Sequence, residues 1–198
     1  IGKGAFKNCP KLVSIKLPFD LERIDDETFQ GDESLSKIVL NNELKAIGKS
    51  AFYGCNSIQH IKIPDSVTVI ECNAFNDCNN LEFVSIPDSV ETIGKGAFKN
   101  CPKLVSIKLP SYLKIIDDET FQGDESLSDI VFNDTLEVIG KSAFLGCKSI
   151  QKLHIPKSVK LFDEKAFHKC DIKTIFFNGE KPTLKEKSVH WRTSFSKV

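Results

Sequence analysis

Seven cysteines, four histidines and two blocks of carboxylates are the residues of this 198-residue chain whose types could carry chemistry. Six thiols, Cys9, Cys55, Cys78, Cys101, Cys147 and Cys170, are spaced by 23 residues or twice that, which invites a redox or metal reading. No Cys-x-x-Cys pair occurs, and thiols strung along a line cannot surround one ion. On equivalent positions of stacked elements their Cβ atoms would lie about 4.8 Å apart with parallel vectors, beyond the ~3.5–4.5 Å a disulfide wants. Free, buried thiols are therefore expected. Cys72 is out of step with the six and falls where other segments carry Lys or an acid, so an exposed thiol able to crosslink two molecules is expected there. The acidic blocks Asp25-Asp26-Glu27 with Asp32-Glu33, and Asp117-Asp118-Glu119 with Asp124-Glu125, raise calcium as a possibility, but the EF-hand spacing is absent. The histidines, His60, His154, His168 and His190, stand in no His-Glu-x-x-His motif, and neither Gly-x-Ser-x-Gly nor a phosphate-binding glycine loop occurs. Asn133-Asp134-Thr135 matches the glycosylation sequon.

Bulk properties narrow the field further. Lys+Arg and Asp+Glu both number 27, and a neutral chain is not held to nucleic acid or anionic lipid by its overall field. At 40% hydrophobic and 27% charged residues the chain can bury a core. No apolar run approaches the ~18 residues of a membrane span, and these 198 residues contain no charged-then-apolar stretch ahead of a cleavage site. The chain opens on Ile1 and holds no Met, the pattern expected of a piece excised from something longer.

What must position these residues is an internal repeat. The segment Ile-Gly-Lys-Gly-Ala-Phe-Lys-Asn-Cys-Pro-Lys-Leu at Ile1 returns in variant form at Ile24, Ile47, Ile70, Ile93, Ile116, Ile139 and Phe162, each 23 residues on. A longer period is nested inside it: Ile1–Pro18 is identical to Ile93–Pro110, and Ile24–Ser36 to Ile116–Ser128, so a block of four units is duplicated. Within a unit, positions 1, 5, 6, 12, 15, 17 and 21 stay apolar, and position 6 is always Phe: Phe6, Phe29, Phe52, Phe75, Phe98, Phe121, Phe144 and Phe167. Apolar residues at 15 and 17 with polar neighbours read as a short strand with one face buried, stopped by Pro18, Pro64, Pro87, Pro110 and Pro156. Gly or Asn at position 8 marks a left-handed turn. One unit has too few buried side chains to offset the entropy of ordering 23 residues, so neighbouring coils must complete the core. The expectation is a mainly β solenoid of eight coils, one parallel strand per coil, with Phe stacked on Phe.

The string Ile47-Gly-Lys-Ser-Ala-Phe-Tyr-Gly-Cys-Asn-Ser-Ile-Gln-His-Ile-Lys-Ile-Pro-Asp-Ser-Val resembles the 23-residue leucine-rich repeat of the BspA-like class. The resemblance covers residues 1–177 in eight units, with residues 178–198 as a degenerate final repeat or C-terminal cap, to which Trp191 and Phe195 would contribute. It implies a right-handed leucine-rich repeat superhelix with a concave parallel β-sheet and short turns or 3-10 segments on the convex side. It also implies a surface or secreted protein of bacteria or parasitic protists, with adhesion or host-protein binding among the family's roles. Units two and six depart from the pattern, carrying Thr28/Thr120, Asp32/Asp124 and Asn41/Asn133 where others have Ala, Cys and Pro.

Placed on this repeat, the chemical candidates acquire plain structural roles. Asp32 and Asp124 take the cysteine slot and are expected to accept turn N–H groups. Lys3, Asp26 and Lys49 follow one another at position 3, as do Lys95, Asp118 and Lys141, so charges are expected to alternate from coil to coil in place of binding calcium. The remaining candidate is the open sheet face at positions 14 and 16, with Ser14, Lys16, Lys37, Val39, His60, Lys62, Phe83, Ser85, Ser106, Lys108, Asp129, Val131, Lys152, His154, Thr174 and Phe176. Partner contacts are expected from Lys16, Lys37, His60, Lys62, Phe83, Ser85, Ser106, Lys108, Lys152 and His154, a basic strip with aromatics suited to an acidic protein segment or glycan, host-derived ligands included. No catalytic group, metal or cofactor is expected. The alternatives are a structural stalk without a ligand site here, and an enzyme built around His168, His190 and Trp191.

Overall fold

The structure, a computed structural model, describes residues 1–163, 165–180, 182–184 and 195–197. The coils stack in register. Phe6, Phe29, Phe52, Phe75, Phe98, Phe121, Phe144 and Phe167 form one column of near-parallel rings with centroids 5.1–5.8 Å apart. Offset stacking suits the ring quadrupole, and every ring from Phe29 onward is buried, while Phe6 on the first coil, stacked on one side by Phe29, is half-buried. The other repeat positions close the core around the column, as Ile47, Ala51, Ile58, Ile61, Ile63 and Val67 of the third coil illustrate.

Each coil contributes two short parallel strands where the alternation predicts one. The first half of the chain supplies β1 (Ser14–Lys16), β2 (Arg23–Ile24), β3 (Lys37–Val39), β4 (Ala46–Ile47), β5 (His60–Lys62), β6 (Val69–Ile70), β7 (Phe83–Ser85) and β8 (Thr92–Ile93). The second supplies β9 (Ser106–Lys108), β10 (Ile115–Ile116), β11 (Asp129–Val131), β12 (Val138–Ile139), β13 (Lys152–Ile155), β14 (Leu161–Phe162), β15 (Thr174–Phe177), β16 (Thr183–Leu184) and β17 (Phe195–Lys197). Odd-numbered strands to β15 carry the expected 14–16 segment. Even-numbered strands to β14 join the last residue of one unit to the first of the next, and at two residues they are too short to leave a periodicity. No helix occurs among the described residues.

The remaining side of each coil is a pair of turns. The position-5 N–H donates to the position-2 carbonyl (Ala51 to Gly48, 3.2 Å) and the position-9 N–H to position 6 (Cys55 to Phe52, 3.1 Å). The third residue of each turn, at position 4 or 8, has left-handed φ in every coil, as a type II turn requires. Position 8 is legible from Asn8, Gly31 and Gly54. Position 4 is not, because it holds Glu27, Ser50, Asn73, Glu119, Ser142 and Lys165 besides Gly4 and Gly96. Left-handed backbone costs these residues roughly 1 kcal/mol each. A ladder between coils offsets it, with the N–H groups of Gly4, Phe6 and Asn8 donating to Asp26, Thr28 and Gln30 carbonyls at 2.9, 2.9 and 2.7 Å.

Candidate functional site

Because side chains alternate along a strand, burying Ile61, Val84, Ile107 and Leu153 turns positions 14 and 16 outward. The ladder then fixes neighbours: Ser14 beside Lys37, Lys16 beside Val39, His60 beside Phe83, Lys62 beside Ser85, Phe83 beside Ser106, Lys108 beside Val131, and Lys152 and His154 beside Thr174 and Phe176. Lys16, Lys37, His60, Lys62, Phe83, Ser85, Lys108, Lys152 and His154 are all exposed, and Ser106 is half-buried. Val39 and Val131 are 78% and 60% exposed. Thr174 and Phe176 are half-buried on β15, which pairs with both β13 and β17.

Two features of this face are invisible in the sequence. The imidazoles stack on phenylalanines, His60 on Phe83 with centroids 5.5 Å apart and His154 on Phe176 at 4.6 Å. The sheet is also divided, β1 with β3, β5 through β11, and β13 with β15 and β17. Where β3 and β5 part, a cleft of about 520 Å³ opens between Lys37 and His60, lined also by Ser36, Ser57, Gln59 and Asn80. Among the described residues no carboxylate forms an ion pair with Lys16, Lys37, Lys62 or Lys152.

The cysteine column serves the backbone. Cys55, Cys78, Cys101, Cys147 and Cys170 each donate S–H to the position-6 carbonyl of the preceding coil, Phe29, Phe52, Phe75, Phe121 and Phe144, at 3.0–3.2 Å. Burial pushes these thiols up, Cys78 and Cys170 to about 12, and a protonated thiol is a poor nucleophile. Cys72 is exposed. Asp32 and Asp124 accept from the N–H groups of Cys9 and Cys101 at 2.7 and 2.8 Å, the capping role expected of them. Their second oxygens are buried without a partner, and desolvation raises both carboxyls, Asp124 well above the ordinary range.

The charge alternation at position 3 needs correction. Asp26 and Asp118 use one oxygen to cap the N–H groups of Lys49 and Lys141, at 3.0 and 2.8 Å. Glu27 instead receives Lys3 and Lys7, and Glu119 receives Lys95 and Lys99, at 2.7–3.3 Å. The longer glutamate side chain, leaving a left-handed residue, spans the gap that the capping aspartate cannot. No three His, Cys, Asp or Glu side chains among the described residues are placed to hold a metal ion. The sequon nitrogen is also engaged: Asn133 Nδ2 donates to the Pro110 and Leu113 carbonyls at 2.6 and 3.0 Å, as Asn41 does to Pro18 and Leu21. His168 is half-buried and its carbonyl accepts the Gly146 N–H. His190 and Trp191 lie outside the described residues.

Stacked 23-residue coils with a parallel strand ladder and a phenylalanine spine define a leucine-rich repeat solenoid. The family described as BspA type leucine rich repeat region matches residues 1–128 and 114–198, in 6 copies. The chain belongs to that family. Among solved structures it is similar to a leucine-rich repeat protein from Bacteroides ovatus, with 32% identity and a TM-score of 0.82 over 100% of this chain and 59% of that one. It is also similar to the leucine-rich repeat protein of T. pallidum, with 34% identity and a TM-score of 0.72 over 76% of this chain and 70% of that one. A leucine rich cell surface protein from Faecalibacterium prausnitzii aligns at 26% identity and a TM-score of 0.52, over 91% of this chain and 64% of that one. The chain thus spans 59% of the length of the Bacteroides protein. No curated protein matches it.

Proposed function

We propose that this segment is a recognition scaffold that binds an acidic segment of a protein partner along the open face of its odd-numbered strands, at a cell surface. The observation that carries the reading is a row of exposed, unpaired lysines interleaved with two stacked His–Phe pairs on hydrogen-bonded strands. Cations and flat rings held rigidly lose little entropy on binding and complement carboxylates. Membership of a repeat family of interaction scaffolds supports it, as does the printed description of the Faecalibacterium relative as a cell surface protein. In the same reading residues 1–177 form the binding array and 178–198 the closing coil. Support for the latter is that β16 and β17 extend the two sheets by pairing with β14 and β15. Such a closing coil shields an end of the solenoid core.

The test is to immobilise the 198-residue chain and screen it against extracellular-matrix proteins and a glycan array, then repeat with Lys62, Phe83 and Lys108 changed to Ala. Protein capture that falls at least tenfold in the triple variant, with stability held within about 1 kcal/mol, supports the reading. Capture indifferent to the substitutions refutes the site. Capture of glycans alone reassigns the partner, and no capture leaves a structural stalk.

A further inference from the structure

The even-numbered strands form their own sheet on a different face from the lysine strip, and that sheet is interrupted once. Strands β2, β4, β6 and β8 are continuous, as are β10, β12, β14 and β16, but no ladder joins β8 to β10. At other junctions the position-2 N–H donates to the position-1 carbonyl of the coil before, Gly94 to Ile70 and Gly140 to Ile116 at 2.8 Å each. The corresponding bond from Asp117 to Ile93 is not made. A cavity of about 550 Å³ occupies the interruption, with Asp88, Glu91 and Ile93 on one side and Tyr112, Lys114, Ile115 and Asp117 on the other. Three acidic residues and one lysine line it, with Asp88 Oδ1 already accepting the Ser111 N–H and O–H at 2.8 and 2.9 Å, so the lining carries net negative charge and favours a cationic occupant. Tyr112 and Ile115 add an aromatic and an apolar surface, 73% and 52% exposed.

The duplicated block shows which cation suits Asp117, the one cleft carboxylate with a counterpart in the first block. Ile115 occupies the position of Arg23, and Asp117 and Asp118 those of Asp25 and Asp26. In the first block the Arg23 guanidinium binds Asp25 and Asp26 at 3.2 Å each and reaches Glu71 at 2.9 Å. The second block keeps both aspartates and lacks the arginine. Asp117 Oδ1 meanwhile accepts its neighbour's N–H, from Asp118, at 2.7 Å. We propose that the cleft between β8 and β10 binds an arginine side chain presented by a partner protein. Asp117 on one wall and Glu91 on the other pair with its planar fork of donors, and the Tyr112 ring stacks on it. A lysine ammonium, a compact point charge without a planar fork, cannot pair with both walls at once or lie flat on the ring. A metal ion is disfavoured because no three of the acidic groups are placed to ligate one.

The experiment is an NMR titration of the 198-residue protein with the blocked tripeptide Ac-Ala-Arg-Ala-amide, beside its lysine and citrulline counterparts. Shifts in Tyr112, Lys114 and Asp117 resonances, saturating at or below roughly 1 mM for arginine and at least tenfold weaker for the other two, are expected. Asp117→Asn should weaken binding at least tenfold. Ile115→Arg restores the first block's own residue at a position where that block already folds with it, and should abolish peptide binding while leaving thermal stability unchanged or raised. Equal binding of the citrulline peptide, binding unaffected by Ile115→Arg, absence of shifts at 10 mM peptide, or the same shifts produced by calcium chloride would each overturn the proposal.

Discussion

The first three coils and the fifth to seventh are near copies, and most of their differences lie on the surface. Both blocks stack the same phenylalanines and run the same cysteine-to-carbonyl bonds. On the open face Lys37 becomes Asp129 and His60 becomes Lys152, while Lys62 becomes His154. On the other sheet, Arg23 with its three carboxylates becomes a bare Ile115 beside an open cleft. Duplication preserved what each coil needs from its neighbours and released what faces solvent, because a core position is constrained by two coils at once. Conversely, identical residues meet different surroundings. Asp32, which caps the Cys9 N–H of the first coil, has its pKa raised by burial, whereas Asp124, more deeply buried, is raised well beyond it.

That contrast can be broken or sharpened with pairs of identical substitutions at equivalent positions. The largest effect is expected in the ring column. Phe98→Ala removes a buried ring stacked on Phe75 and Phe121 and should cost about 3–5 kcal/mol in chemical denaturation, while Phe6→Ala, half-exposed with one stacked neighbour, should cost less than half as much. Equal losses at the two positions would mean that end coils are as cooperative as central ones. Next comes a glycine demanded by close approach, not by φ. A Cβ on Gly94 would lie 2.7 Å from the Cys72 nitrogen, whereas one on Gly2 meets nothing within 4 Å. Gly94→Ala should destabilise by about 1–3 kcal/mol. Gly2→Ala should be neutral or stabilise by a few tenths through the unfolded chain.

The smallest and most pH-dependent effect belongs to the buried aspartates. A carboxyl whose folded pKa is raised favours folding most below the unfolded value near 3.9, and its contribution is lost as pH rises toward the folded pKa. Asp124→Asn should therefore stabilise the protein at pH 8 by about 1–2 kcal/mol relative to wild type, with the gain shrinking at pH 4. Asp32→Asn should follow the same sign with a smaller amplitude. Denaturation midpoints at the two pH values measure both, and a pH-independent difference would contradict the burial argument.

Much of this molecule was legible before any coordinates. Apolar spacing marked the core, the invariant phenylalanine marked its spine, and alternation placed Lys62, Phe83 and Lys108 outside. Asp32 and Asp124 betrayed their capping role by replacing cysteine in a repeating slot. Other features left no local mark. The two-residue strands are too short for periodicity, and the position-4 turn tolerates Glu, Ser, Asn and Lys because coil-to-coil bonds hold it. The position-3 charges were paired wrongly because sequence order cannot reveal that the neighbouring glutamates at position 4, Glu27 and Glu119, are the carboxylates that receive the lysines of the preceding coil.

Sequence alone determined the 23-residue coil, its register and the identity of its interior, since each depends on a residue pattern repeated often enough to outweigh local variation. Where the two sheets split, and which carboxylate keeps a cation, were decided only in three dimensions. Those outcomes depend on distances between residues 23 or 46 positions apart, and a sum of small displacements along the stack sets such distances, not any one coil's own chain.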